Sequence, residues 1–220
     1  VIPLHSEFIN SENVHDKLQS FNGILVAPGF GERGVEGKIE AIKYVRLNNI
    51  PFFGICYGMQ MAVIEYARNM LKLDDANSTE VNPNTKNPVI DLMEEQKNIT
   101  EKGGTMRLGA WKCDITRETL CHSVYKTENI EERHRHRYEL NNKYLNQLEE
   151  NGLVASGKNK DTNLVEVVEV KEHPWFIGVQ YHPEYKSTVL SPHPLFVSFV
   201  SAAILNLSLI HISEPTRPSS

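Results

Sequence analysis

The chain has 220 residues, of which 40% are apolar and 23% charged, with a formal net charge of -5 and an isoelectric point near 6.0. That length fits one domain of ordinary size with a sizeable core, and the acidic balance excludes nucleic acid as the main partner, because phosphate binding needs a positive field. No apolar run approaches the roughly 18 to 20 residues that span a bilayer and no signal peptide opens the chain, so no membrane partner and a cytoplasmic location are expected.

The opening, Val1 to Asn10, has no initiator methionine and reads as the inside of a strand, so the chain is expected to be a piece of something longer. Gly23 to Ala27 is a short apolar run ended by "PGFGERG", hence a buried strand feeding a glycine-rich loop. From Gly37 to Asn49, Ile39, Ile42 and Val45 recur at threefold spacing between charges, which predicts a surface helix covering the sheet. Ile50 to Ile55 is the next strand. From Tyr57 the period changes, and Met59, Ala62, Val63, Tyr66, Ala67 and Met70 predict a helix to about Met70.

Asp74 to Gly109 is polar and rich in Asn, Pro and Gly, with a short strand at Pro88 to Met93. Its segment "EEQKNITEKGGTMRLG" suits a mobile lid hinged near Gly103 and Gly104, or equally an ordinary solvated loop. The β-like stretches "AWKCDI", "HRYEL", "LVASG", "NLVEVVEV" and "WFIGVQY" follow, and a helix over Pro194 to Leu205. Strands alternating with amphipathic helices define an α/β domain with Rossmann-like order and a mainly parallel central sheet flanked by helices. The domain is expected to occupy residues 1–206. Residues 207–220 ("LSLIHISEPTRPSS") resemble a translated sequencing adapter and are expected to be a non-native, disordered tail.

Three cysteines, Cys56, Cys113 and Cys121, show no C-x-x-C spacing, and nine histidines are scattered without ligand spacing. Neither a disulfide framework nor a metal site is expected. A lone cysteine is most often a small buried hydrophobe, but Gly54-Ile55-Cys56-Tyr57-Gly58 repeats the spacing of the G-x-S-x-G elbow with sulfur in place of oxygen. In that elbow the nucleophile sits on a strained strand-to-helix turn, and small residues two positions away let strand and helix pass closely. The helix after Cys56 aims its unpaired N–H groups and positive dipole end at the sulfur, which favours thiolate, and the same groups can hold an oxyanion.

The candidate base is His182 in "WFIGVQYHPE". Pro183 pushes His182 towards extended backbone, where residues two apart share a face. Glu184 can then accept one imidazole N–H and leave the other nitrogen for Cys56, giving a nucleophile, base and orienter in the chain order Cys56, His182, Glu184. In "ERHRHRYE", Arg133, Arg135 and Arg137 fall on one side of an extended chain and His134 and His136 on the other. Flanking Glu131, Glu132 and Glu139 cancel most of that charge, so a local anion subsite or a solvated face is expected.

"GICYGMQ" together with "YHPE" resembles the class I glutamine amidotransferases. Longer stretches, "APGFGERGVEGKIEAIKY", "ANSTEVNP", "GGTMRLG", "ERHRHRYELN" and "HPLFVSFV", narrow the resemblance to the glutaminase domains that feed ammonia to a synthase aminating UTP to CTP in pyrimidine nucleotide biosynthesis. The resemblance implies Cys56, His182 and Glu184 as catalytic residues. It implies Gly29, Tyr57, Gly58, Met59, Gln60, Glu80 and Arg137 as contacts for L-glutamine, with the backbone N–H groups of Gly29 and Tyr57 on the oxyanion. Physical chemistry agrees that an α-amino group needs a carboxylate such as Glu80 and an α-carboxylate suits a guanidinium such as Arg137.

The loop "APGFG" departs from the commoner "PGGFG", and Pro28 has no N–H to offer. Tyr57 stands where leucine is frequent, but its backbone N–H remains. No cofactor is implied for this part. The whole enzyme would be a ligase that uses ATP and Mg²⁺, is activated by GTP near the "GGTMRLG" segment, and is a homotetramer formed mainly through the ATP- and UTP-binding synthase domain. Alternatives left open are a glutaminase serving another synthetase, a γ-glutamyl hydrolase, or a catalytically inactive regulatory module.

Overall fold

The computed structural model describes residues 1–92 and 106–213. In chain order the strands are β1 (Ile24–Val26), β2 (Phe52–Ile55), β3 (Asn77–Ser78), β4 (Pro88–Leu92), β5 (Arg107–Ile115), β6 (Asn129–His136), β7 (Tyr138–Leu140), β8 (Leu153–Lys158), β9 (Val165–Val170) and β10 (Phe176–Val179). The helices are α1 (Val14–Leu18), α2 (Val35–Leu47), α3 (Tyr57–Asn69), α4 (Leu120–Tyr125), α5 (Leu145–Glu150) and α6 (Pro194–Ser213).

Among the described residues, seven strands form one sheet in the order β1-β2-β10-β9-β8-β5-β6, and β3-β4-β7 form a smaller one. The α/β class holds, but the large sheet is mixed rather than mainly parallel: β1, β2 and β10 run parallel, and every further pair is antiparallel. The reason lies in the connections. A parallel pair needs a crossover of a dozen or more residues, usually a helix. Helix α2 supplies one between β1 and β2, whereas β8 and β9 are joined by a short loop that can only make a hairpin.

β2 is buried along its whole length, as a strand with helices on both faces must be. Phe52 packs on the α2/α3 side, its ring centroid 4.3 Å from that of Phe176. Phe53 faces the α4/α6 side against Trp175 and Phe199. Each buried ring contributes roughly 1.5–3 kcal/mol, so the centre of the sheet is its best-held part.

Two expectations at the ends are corrected. Val1 to His5 lie exposed outside any strand; no strand pairs with them among the described residues, and Pro3 lacks the N–H a ladder needs. Helix α6 runs past Leu205 to Ser213, so the segment expected to be disordered from Leu207 is helical that far. Leu207, Leu209 and Ile210 suit a helix, and the first proline after them is Pro215. Residues 214–220 lie outside the described residues.

Candidate active site

Three parallel strands end at one edge of the sheet, and the site lies there, as ligand sites of open α/β sheets do. β2 passes directly into α3 through Cys56, whose backbone takes φ 50° and ψ -100°. A non-glycine residue in such a region costs on the order of 1–3 kcal/mol and persists only where its surroundings over-determine it. Here they do. The Cys56 N–H donates to the Val179 carbonyl at 2.7 Å. A Cβ on Gly54 would come within 2.7 Å of the Gly58 carbonyl carbon, and one on Gly58 would overlap the Val26 carbonyl oxygen. The two glycines are therefore what allows β1, β2 and α3 to close around the turn.

The base arrives on the neighbouring strand. Just beyond β10, His182 is held by its own N–H to the Arg133 carbonyl, 2.8 Å away, and its ring stacks on Tyr185. Its Nδ1 lies 2.6 Å from Glu184 Oε1, and its buried Nε2 has no protein hydrogen-bond partner. The carboxylate fixes the tautomer with the proton on Nδ1 and leaves Nε2 as a lone pair.

Cys56 and His182 line one cavity of about 540 Å³, with Pro28, Gly29, Phe30, Tyr57, Gln60, Glu80, Met106, Arg135, His136, Arg137, Tyr138 and Tyr185. The cavity thus gathers Cys56, His182, Gly29, Tyr57, Gln60, Glu80 and Arg137. Glu184 does not line it but lies against His182. Gly58 and Met59 do not line it: Gly58 packs on Val26 and Met59 is fully buried in the core beneath the sheet. Of the suspected lid, residues up to 105 lie outside the described residues, and Met106 reaches the cavity wall.

The expectation of a thiolate from the helix end is corrected for the free site. Burial pushes the Cys56 thiol up to about 12; a hydrogen bond from the Tyr57 backbone pulls it down, and the charges of Glu139, Glu184 and Glu80 push it up further. Burial thus favours the neutral thiol in the free site. Glu80 receives the Gly31 N–H at 3.2 Å; burial raises its carboxyl, while that hydrogen bond and nearby Arg137 lower it. The Tyr57 hydroxyl donates to the Gly31 carbonyl, bracing the glycine-rich loop over the site.

The expected alternation in β6 is observed: Arg133 and Arg135 are exposed, His134 and His136 buried. The buried side packs against Arg107, Glu139 and Glu166, with Arg107 Nη2 2.6 Å from Glu166 Oε1 and His134 Nδ1 2.8 Å from His136 Nε2. Burial beside Arg107 holds His136 down to about 3.

Gln180 belongs to no motif of the sequence. It is fully buried, its Nε2 3.7 Å from Cys56 Sγ. The available signal was an amide inside the apolar run "WFIGVQY", two residues before His182 and so on the same face of an extended chain.

The site and fold define the class: the chain belongs to the class I glutamine amidotransferases, whose family pattern it matches over residues 1–202. Within that class it corresponds to the glutaminase domain of CTP synthase. It is 69% identical over 204 residues to the CTP synthase of Flavobacterium johnsoniae and 64% identical over 200 residues to that of Christiangramia forsetii. These alignments take in 93% and 91% of this chain but 38% and 37% of those proteins, so the chain spans a little over a third of their length. Among solved structures, the glutaminase domain of Trypanosoma brucei CTPS with bound acivicin matches with a TM-score of 0.86 and 38% identity, covering 92% of this chain and 80% of that one.

Proposed function

We propose that the chain hydrolyses L-glutamine to L-glutamate and ammonia through a thioester on Cys56. As part of a CTP synthase it passes that ammonia to an ATP-dependent synthase domain that aminates UTP to CTP. The observation that carries this reading is one cavity holding a nucleophile, a base with a free nitrogen, a carboxylate and a guanidinium.

The α-amino group of glutamine pairs with Glu80 and its α-carboxylate with Arg137, which presents the side-chain amide to Cys56. His182 Nε2 accepts the thiol proton while the sulfur attacks the amide carbon, and the carbonyl electrons move onto oxygen beside the Gly29 and Tyr57 N–H groups. As the tetrahedral species collapses, His182 returns the proton to the departing nitrogen and ammonia leaves. His182 then takes a proton from water, the hydroxide attacks the thioester carbon, and the expelled sulfur regains the proton as glutamate departs. Glu184 stabilises the imidazolium in both halves.

The synthase domain, ATP and Mg²⁺ for its reaction, activation by GTP, tetramerisation and a cytoplasmic location belong to the same proposal. The share of the relatives' length left uncovered supports the first. No helix among the described residues is long and apolar enough to cross a membrane, which accords with the last.

Ammonia release from glutamine by the isolated chain tests the reading, with Cys56→Ala as control. Turnover by the wild type alone is expected; equal background rates in both would overturn it. A glutamine-derived chloroketone is expected to modify Cys56 and spare the buried Cys113 and Cys121.

A further inference from the structure

Gln180 stands in the line of contact between the substrate side of the cavity and the sulfur. β2 and β10 pair from Phe52/Phe176 to Ile55/Val179, and one step further along this register Gln180 comes beside Cys56. Its backbone is fixed by its N–H, which donates to the Glu166 carbonyl at 2.8 Å. Its side chain is fixed by a chain of polar contacts: Gln60 Nε2 donates to the Tyr138 carbonyl at 2.9 Å and to Gln180 Oε1 at 3.3 Å, and Gln180 Nε2 lies 3.7 Å from Cys56 Sγ.

The polarity of that chain follows from chemistry. A backbone carbonyl only accepts, so the Gln60 atom facing Tyr138 must be the nitrogen. That nitrogen only donates, so the Gln180 atom facing it must be the oxygen. The other end of the Gln180 amide, turned to the sulfur, is therefore an N–H donor. With Gln60 at 3% and Gln180 at 0% exposure, water does not compete for these groups.

We infer that Gln180 donates a hydrogen bond to the Cys56 sulfur, stabilising the thiolate as it forms, and that Gln60 holds the Gln180 amide in the orientation this requires. The charged groups around the sulfur make such a donor useful. Glu80, Glu139 and Glu184 all disfavour negative charge there and the Tyr57 N–H opposes them, while His182 and Arg137 stand on the cavity wall. A second buried N–H adds to the opposing side without adding charge. It also links recognition to reactivity, because Gln60 itself lines the cavity.

The inference rests on reading Cys56 as the nucleophile, and the two can fail separately. Alkylation of Cys56 by iodoacetamide at neutral pH needs no glutamine and reports thiolate availability. In Gln180→Leu it is expected to slow about tenfold, the usual scale for a hydrogen bond to a charged group. It should slow further in Gln180→Glu, which turns an acceptor or a charge to the sulfur. In glutamine turnover, kcat should fall about tenfold in Gln180→Leu while KM stays within about twofold, because the effect falls on the thiolate rather than on binding. Alkylation rates equal to wild type would overturn the inference even if wild-type glutamine turnover is normal; absent wild-type turnover would instead count against the glutaminase reading. For a leucine variant that does not fold, the wild-type chain gives a second readout. The Gln180 side-chain amide resonances should move when Cys56 is alkylated, and unmoved resonances would overturn the proposal.

Discussion

Two regions meet at the cavity and are built differently. The groups proposed to react come from neighbouring parallel strands: Cys56 from the end of β2 and His182 from just past β10, tied by the Cys56–Val179 hydrogen bond. The groups proposed to recognise the ends of an amino acid come from elsewhere. Glu80 follows the two-residue β3, and Arg137 sits at the break between β6 and β7. The first region is over-determined by backbone pairing and aromatic packing; the second is made of turns braced by side chains. Bond making tolerates little positional error, whereas charge recognition can be adjusted by long side chains.

Substitutions should separate the two regions. The largest effect is expected for Cys56→Ala, which should lower kcat by about 10³-fold or more without disturbing the fold, as ammonia release and urea unfolding together would show. Next comes Gly58→Ala. Its methyl group must displace the Val26 carbonyl, so a loss of about 2–4 kcal/mol of unfolding free energy is expected, read as a lower urea midpoint, with activity falling through unfolding rather than chemistry; an unchanged midpoint would mean that β1 and α3 are not closely packed. Glu184→Gln should cut kcat about 10- to 100-fold at nearly constant KM, because a neutral amide no longer favours the imidazolium.

Arg137→Lys should do the reverse, raising KM for glutamine about tenfold with kcat within about threefold, since a point charge replaces a fork. A last effect concerns alkaline stability. The Cys56 thiol is raised from 9.0 to about 12 by burial, so between those values the unfolded chain has lost the proton that the folded chain keeps. Its contribution is fully present below about 9.0 and is lost as pH rises towards about 12, at a slope of at most about 1.4 kcal/mol per pH unit. Cys56→Ala should reduce the slope of that part of the unfolding profile, leaving the part due to Cys113, Cys121 and the tyrosines Tyr57, Tyr125 and Tyr181, which burial also raises.

Much of the first region was legible because its signals are local. Glycines on either side of Cys56 mark a backbone that must pass closely, and a proline between His182 and Glu184 sets their spacing. The alternation of arginine and histidine through β6 was legible for the same reason, since period two belongs to a single strand. What escaped depends on partners distant in sequence. Nothing in "WFIGVQY" says that its strand will lie between β2 and β9, and hence that Gln180 will face a sulfur. The dipole at the start of α3 was readable, but the burial that outweighs it was not, because burial is a property of the assembled fold. Helix α6 runs past its expected end to Ser213, because an adapter-like origin says nothing of the helix propensity of the residues it supplies.

The hydrogen bond from the Cys56 amide to the Val179 carbonyl joins the tip of one strand to that of the next. Sliding or breathing of the sheet then carries sulfur and imidazole along together instead of prising them apart. Warming should consequently leave the reaction geometry intact until the ladder itself melts, so that heat inactivation and loss of structure trace one curve.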